Sequence, residues 1–326
     1  MKSLLTLSLI AAGLSLALPA GADTLKIATL APKSSPWGKV FNTWSKAVKE
    51  KSGGRLELEF FYNGRQGDEA AMVRKMRSGQ LDGAAITGVG LSKIYKPILA
   101  LQMPGLFTNW RKLDRARDAV KGEFETGARE AGFQIIGWGD VGLVRTMSKG
   151  FAVQGPDDVQ GKKPLVVPDD DNGAALMQAI SGVRPVRVKV PEALSNLNDS
   201  ALNLINAPCL AAEQLQWSSK VDHFTDMVIG VEIGGIVISA RRLDSLPEDL
   251  RTIVLDTGRV ATAALTTRIR SEDDAVCGRL KGEMTVTRPS ADAQDQWNAK
   301  FRAARRALAQ GTYPADLVER LEALAR

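Results

Sequence analysis

The chain has one histidine, His223, and two cysteines, Cys209 and Cys277. Any Ser-His-Asp or Cys-His mechanism would therefore have to run through His223. That residue sits in the polar segment Val221-Asp222-His223-Phe224 and reads as a hydrogen-bonded or surface side chain. There is no GxSxG elbow, HExxH, phosphate-binding loop or dinucleotide glycine fingerprint. Asp169-Asp170-Asp171-Asn172 groups oxygen atoms of the kind that hold a divalent cation. It lacks EF-hand spacing and a closing glutamate, so it reads as a turn capping the next helix. A single histidine rules out a histidine-rich metal site, and no metal, cofactor or catalytic residue is assigned. The cysteines permit one disulfide in an oxidising compartment, and spacing alone leaves the pairing open.

Chemistry this sparse suits binding rather than catalysis, and binding needs elements that shape a cleft. Met1-Lys2, the apolar run Leu4–Leu18 and the small residues Ala20-Gly21-Ala22 read as a secretory signal over 1–22, cleaved to leave Asp23 first. No later stretch reaches 18 uninterrupted apolar residues, so the expectation is a soluble exported protein, most simply periplasmic. The 43 Lys and Arg against 37 Asp and Glu are interspersed, which argues against a nucleic-acid partner. At 326 residues a single core tends to split into two lobes.

Leu25–Leu30 alternates as a strand, and Ser35-Pro36 opens a helix with Trp37, Phe41, Trp44 and Val48 on one stripe. Strand Leu56–Tyr62, a helix from Asp68 to Ser78 closed by Gly79, and strand Leu81–Thr87 complete the grammar of a parallel sheet. Strand-like segments recur at Phe133–Gly137, Val141–Ser148, Pro164–Val167, Val186–Val190 and Ala201–Asn206, with a helix over Asp170–Ile180. Met227–Ser239 is too long for an average strand and suggests a bend or a passage between lobes. Ser245-Leu246-Pro247-Glu248 reads as a capping box that starts a helix of more than 30 residues, a beam across two lobes. Two more helices follow, one with Trp297, Phe301, Ala304 and Leu308 inward, the other beginning at Pro314. The fold class is α/β, with a cleft at the carboxyl ends of parallel strands.

Several motifs in order resemble the DctP-type extracytoplasmic solute-binding proteins of TRAP transporters. They are Lys26-Ile27-Ala28 with Ser35-Pro36-Trp37, Gly64-Arg65-Gln66-Gly67-Asp68-Glu69, Gly79-Gln80-Leu81-Asp82-Gly83, Pro104 with Leu106-Phe107, Pro156–Lys163, and Leu243 with Leu246-Pro247. The resemblance spans essentially the whole mature chain. It implies a periplasmic-binding-protein fold with two lobes, strands crossing between them and a long connecting helix. It also implies capture of a small-molecule ligand and delivery to the membrane permease subunits of a TRAP-type transporter. The lobes are expected over 23–144 plus 235–275 and over 145–234 plus 276–326.

One departure bears on the ligand. Where the resemblance implies an arginine that clamps a carboxylate, this chain has Leu165, which cannot supply a bidentate guanidinium contact. Two readings stay open. In the first, Leu165, Trp138, Trp217 and Trp37 line a more apolar cavity, with Asn172 and Asn206 orienting a more hydrophobic solute; this is the favoured expectation. In the second, Arg145 replaces the missing cation and anchors a small carboxylate. A third possibility is a scaffold protein that carries no solute, which the missing arginine supports and a closed, ligand-filled cavity of ~300 Å³ or more would count against.

Overall fold

A computed structural model describes residues 22–326, so the signal expected over 1–22 lies outside the described residues apart from Ala22. The chain opens with strand β1 (Asp23–Thr29), helix α1 (Pro36–Lys51), strand β2 (Leu56–Phe61), helix α2 (Glu69–Ser78) and strand β3 (Gly83–Thr87). The local signals act as their chemistry predicts. Ser35 Oγ accepts from the Gly38 amide, Pro36 takes the first helical position, and Phe41, Trp44 and Val48 are buried. Asp68 caps α2, and Gly79 ends it at φ 77°, where a Cβ would be strained. The three strands are parallel, in the spatial order β2-β1-β3.

A short helix α3 (Gly88–Ser92), a 3₁₀ turn (Lys96–Gln102) and helix α4 (Trp110–Glu130) lead to strand β4 (Phe133–Ser148). Next come β5 (Leu165–Val166), α5 (Asp171–Ala179), β6 (Val186–Arg187), α6 (Ala193–Asn198), β7 (Leu204–Pro208) and α7 (Cys209–Gln214). The chain ends with β8 (His223–Ser239), α8 (Ala240–Asp244), α9 (Glu248–Glu283), β9 (Thr285–Thr287), α10 (Ala291–Leu308) and α11 (Ala315–Leu324).

The two segments expected at 133–137 and 141–148 are one strand. Register shifts after Ile135, Asp140 and Val144 let it bend without breaking. β8 runs antiparallel to both β3 and β4, so the sheet is mixed, in the order β2-β1-β3-β8-β4-β7 with β9 beside β8. Phe133–Asp140 pairs with Ile233–Ser239 next to β3, whereas Thr146–Ser148 pairs with His223–Thr225 next to β7 and β9. β4 and β8 thus cross between the two lobes of an α/β fold.

The long helix is present, with 36 residues in α9, packed against α1, β4 and α7. The expected capping box is not made. Ser245 ends α8, its hydroxyl bonded to Arg242, and Pro247 provides the turn into Glu248 without a side-chain cap. Cys209 and Cys277 are joined, with Cα atoms 5.2 Å apart, which ties α7 to α9. α10 packs on α5, while α11 packs on α4 and the 3₁₀ turn.

Candidate functional site

The carboxyl ends of β1 and β3, the middle of β4 and β8, and the face of α7 enclose a cavity of about 200 Å³. On the first lobe its wall is Leu30, Trp37, Phe41 and Thr87; on the second it is Leu165, Asn206, Gln214 and Trp217. That is smaller than the ~300 Å³ that would count against a scaffold reading. β1 and β3 end here because parallel strands leave their carboxyl ends to loops and helix starts.

Four acidic residues contribute to the lining: Glu69, Asp140, Asp170 and Glu232. Among the described residues, no lysine, arginine or histidine does. Two of the acids are occupied. Asp140, with a fully buried side chain, bonds Arg117 Nη1 at 2.6 Å and Arg270 Nε at 2.7 Å. Asp114 accepts two bonds from Arg270, at 2.6 and 2.7 Å, and one from Arg117 at 2.9 Å. These bonds hold the Asp114 carboxyl below its ordinary value. The cluster joins α4, β4 and α9 behind the cavity wall. Glu69 accepts from the Thr87 amide and hydroxyl at 2.7 Å each and from the Gly90 amide at 2.9 Å, although burial still raises its carboxyl.

The other two acids are less satisfied. Asp170 caps α5, its Oδ1 accepting from the Gly173 amide, and burial raises its carboxyl. Glu232 is the one acid in the apolar stretch 227–239 of β8, between Val231 and Ile233, and it has no hydrogen-bond or ion-pair partner among the described residues. Enclosure by protein pushes it up to about 8, with Asp170, Glu69 and Asp273 adding like charge. An adjoining pocket of about 60 Å³ shares Glu69 and Glu232 and carries Lys93 and Lys189 at its rim. Those lysines are engaged with Asp169 at 2.8 Å and Asp68 at 3.1 Å, pairs that bridge the two lobes.

The residues expected at the site are divided by the structure. Trp37, Leu165, Asn206 and Trp217 line the cavity. The Trp37 Nε1–H points at the Asp140 carbonyl at 3.5 Å, and Asn206 Oδ1 accepts from Thr146. Arg145 is not part of the lining. Its Nη1 donates to Leu143 O at 3.0 Å and lies 3.9 Å from Asp273 Oδ2, while its buried Nε has no partner. In register it faces Ala207, which does line the cavity. Asn172 is buried elsewhere, donating to Leu99 O and accepting from Tyr313. Trp138 is also turned away, its indole donating to Glu125 and its ring tilted on Phe124. Asn172 and Trp138 are therefore framework residues in this structure. Glu232 and Gln102 are lining residues that the sequence reading does not reach, and Asp170, read there as part of a capping turn, lines the cavity as well as capping α5. The signal for Glu232 is a single carboxylate inside the apolar stretch 227–239.

Residues 27–311 match the DctP family, described as bacterial extracellular solute-binding protein, family 7. A solute-binding protein of Chromohalobacter salexigens is 29% identical over 157 residues, which is 48% of this chain and 47%, about half, of that relative. A TRAP periplasmic solute-binding protein of Sulfurospirillum deleyianum, solved with succinate, superposes with a TM-score of 0.86 at 17% identity, covering 94% of this chain and all of the other. The sugar acid binding protein of Advenella mimigardefordensis, solved with galactonate, also gives 0.86 at 15% identity, over 93% and 98% of the two chains. At these identities the likeness is one of fold.

Proposed function

The chain belongs to the DctP family of bacterial extracellular solute-binding proteins, and on that premise we propose that it captures a small organic acid outside the cytoplasm and delivers it to a TRAP-type membrane permease. The observation that carries this reading is the open cavity where β4 and β8 cross between the lobes. Binding there needs no covalent step. A solute touching both walls favours the closed arrangement because that arrangement offers it more contacts. We take the working lobes as 23–144 plus 235–275 and 145–234 plus 276–326, with α11 reaching back onto α4.

The carboxylate reading is preferred to the more hydrophobic solute because the solved relatives hold succinate and galactonate. Arg145 is its proposed anchor. It stands behind the wall with a buried Nε–H unengaged, and such a donor gains from an anionic partner. Leu165, at the position where the resemblance places the usual clamp, leaves that role vacant.

Native mass spectrometry of the exported, gently purified protein tests the function directly, since a released carboxylate supports it and a neutral apolar compound restores the hydrophobic reading. The anchor is tested separately. Arg145→Ala should weaken binding of the recovered acid by about tenfold to a hundredfold, the worth of a hydrogen-bonded charge. Unchanged affinity, measured by calorimetry on a variant that melts normally, removes Arg145 from the site.

A further inference from the structure

We propose that Asp68, Lys93 and Lys96 of the first lobe and Lys189, Asp169 and Asp171 of the second form an electrostatic clasp, which holds the lobes closed beside the cavity and yields to salt. This rests on the two-lobed solute-capture reading above and names what governs closure.

Three observations carry the proposal. The first is a row of contacts made by one short run. Lys93 Nζ lies 2.8 Å from Asp169 Oδ1, Lys96 Nζ lies 3.1 Å from Asp171 Oδ2, and Asn172 Nδ2 donates to Leu99 O at 2.8 Å. Asp169-Asp170-Asp171-Asn172 therefore lies along 93–99, with three of its four side chains reaching across. The fourth, Asp170, caps α5. The second observation is the place. Lys93 and Asp169 line the pocket of about 60 Å³ that adjoins the cavity, and so does a further pair, Lys189 and Asp68, 3.1 Å apart. The third is the pattern of sign. The first lobe offers one acid and two bases and the second offers the reverse, so a shifted docking would set like charges against each other.

The row is graded in burial. Asn172 is buried and also accepts from the Tyr313 hydroxyl at 2.9 Å, which makes it the fixed end. The Lys93 and Asp169 side chains are 34% and 42% exposed, so water and counter-ions reach them. Each such pair is worth a factor of only about 1.4 to 5. That factor falls wholly on the balance between open and closed lobes, because the partners separate when the lobes part. Factors from pairs that share no partner multiply. Salt erodes them together, since the Debye length shrinks from about 10 Å at 0.1 M to about 3 Å at 1 M. A clasp that populates the closed arrangement lessens what the solute must supply to reach it.

The test uses the full exported chain, freed of solute by dialysis from urea and refolding. Nitroxide labels go on Gln80→Cys and Asp199→Cys, both exposed positions, one on each lobe. The native cysteines are joined to each other and do not compete for label. Double electron–electron resonance then reads the distance between the lobes. The ratio of short to long distances should fall severalfold on passing from about 0.1 M to about 1 M sodium chloride. Lys93→Met should lower that ratio about 1.4-fold to fivefold at low salt. Asp169→Asn should do the same, and it suits the backbone there, since φ is 69° and Asn tolerates that conformation. The double variant should match either single one, because the pair is already lost. Lys121→Met, which breaks a pair lying within α4, should change nothing. Asp68 stays intact because its Oδ1 also caps α2, accepting from the Ala71 amide. Distances that ignore salt, or single variants whose effects add in the double, overturn the clasp. No solute enters this measurement, so that result leaves solute capture standing. Conversely, a native mass spectrum without a released acid counts against capture and leaves the clasp to its own test.

Discussion

Asp140→Ala is expected to cost about 3–5 kcal/mol of folding stability, read as a shift in the urea midpoint at constant slope. The Asp140 side chain is 0% exposed, and its neighbours Arg117 and Arg270 are only 11% and 21% exposed. Removing the carboxylate leaves two guanidinium groups sharing Asp114 alone, in a place where water reaches them poorly. Arg270 feels this most. Its guanidinium is held cationic well beyond its ordinary range by Asp114 and Asp140, against burial that works the other way. Its face also rests on the Trp110 ring, 4.5 Å from the centroid. Three elements meet at this cluster, so the damage should spread to the cavity wall at Gly139–Val141. Asp140→Asn keeps the shape and should fall between wild type and alanine. The exposed pair Arg55 and Asp249 provides the contrast, because Asp249→Ala should leave the midpoint nearly unchanged. A small effect at Asp140 would mean that the arginines find water and that the cluster does not brace the wall.

The double variant Cys209→Ala, Cys277→Ala is expected to lose about 4 kcal/mol, the loop-closure value for a crosslink of this span. The two cysteines are 68 residues apart, and the intervening chain includes β8 and most of α9. The crosslink restricts the unfolded chain more than it strengthens the folded one. The local setting adds to it. Asp273, fully buried beside the sulfurs, accepts from the Leu210 amide at 2.9 Å and the Leu143 amide at 3.1 Å. Burial raises its carboxyl despite those bonds and the nearby Arg145. Shifting α7 away from α9 would strand that group. Thermal melts of oxidised, reduced and double-variant protein should separate by several degrees, with the last two alike. Coincident curves would show that side-chain packing alone fixes α7 on α9.

Much of this architecture is legible residue by residue. Ser35-Pro36, Asp68 and Gly79 set helix ends through local bonds, and those ends fall where the residue chemistry places them. The stripe Phe41, Trp44, Val48 announces its buried face by period alone. α4 carries comparable signals in the Asn109 cap and in Leu113, Val120 and Phe124, yet the sequence reading does not place it. Its dense charges hide the stripe. Non-local features are harder. The joining of β4 across its bulges depends on β8, almost a hundred residues away, and no local property of Gly137 or Gly142 reveals it. The site divides in the same way. Trp37 and Trp217 stand beside chain turns that open on the cleft, whereas Asn172 and Trp138 are claimed by Tyr313 and Glu125, partners set by tertiary packing. Sequence shows which side chains can bind, but their prior commitments appear only in three dimensions.

The placement of β8 between β3 and β4 has a consequence for how the protein is made. Until ribosomal synthesis reaches the segment His223–Ser239, the edges of β3 and β4 that it will cover remain bare, each a template for wrong pairing. Neither half can be expressed as a continuous fragment and keep its sheet complete, since a cut anywhere between β4 and β8 removes the shared centre. Productive assembly is consequently a late, long-range event, and slow maturation with a risk of intermolecular strand addition comes with the topology.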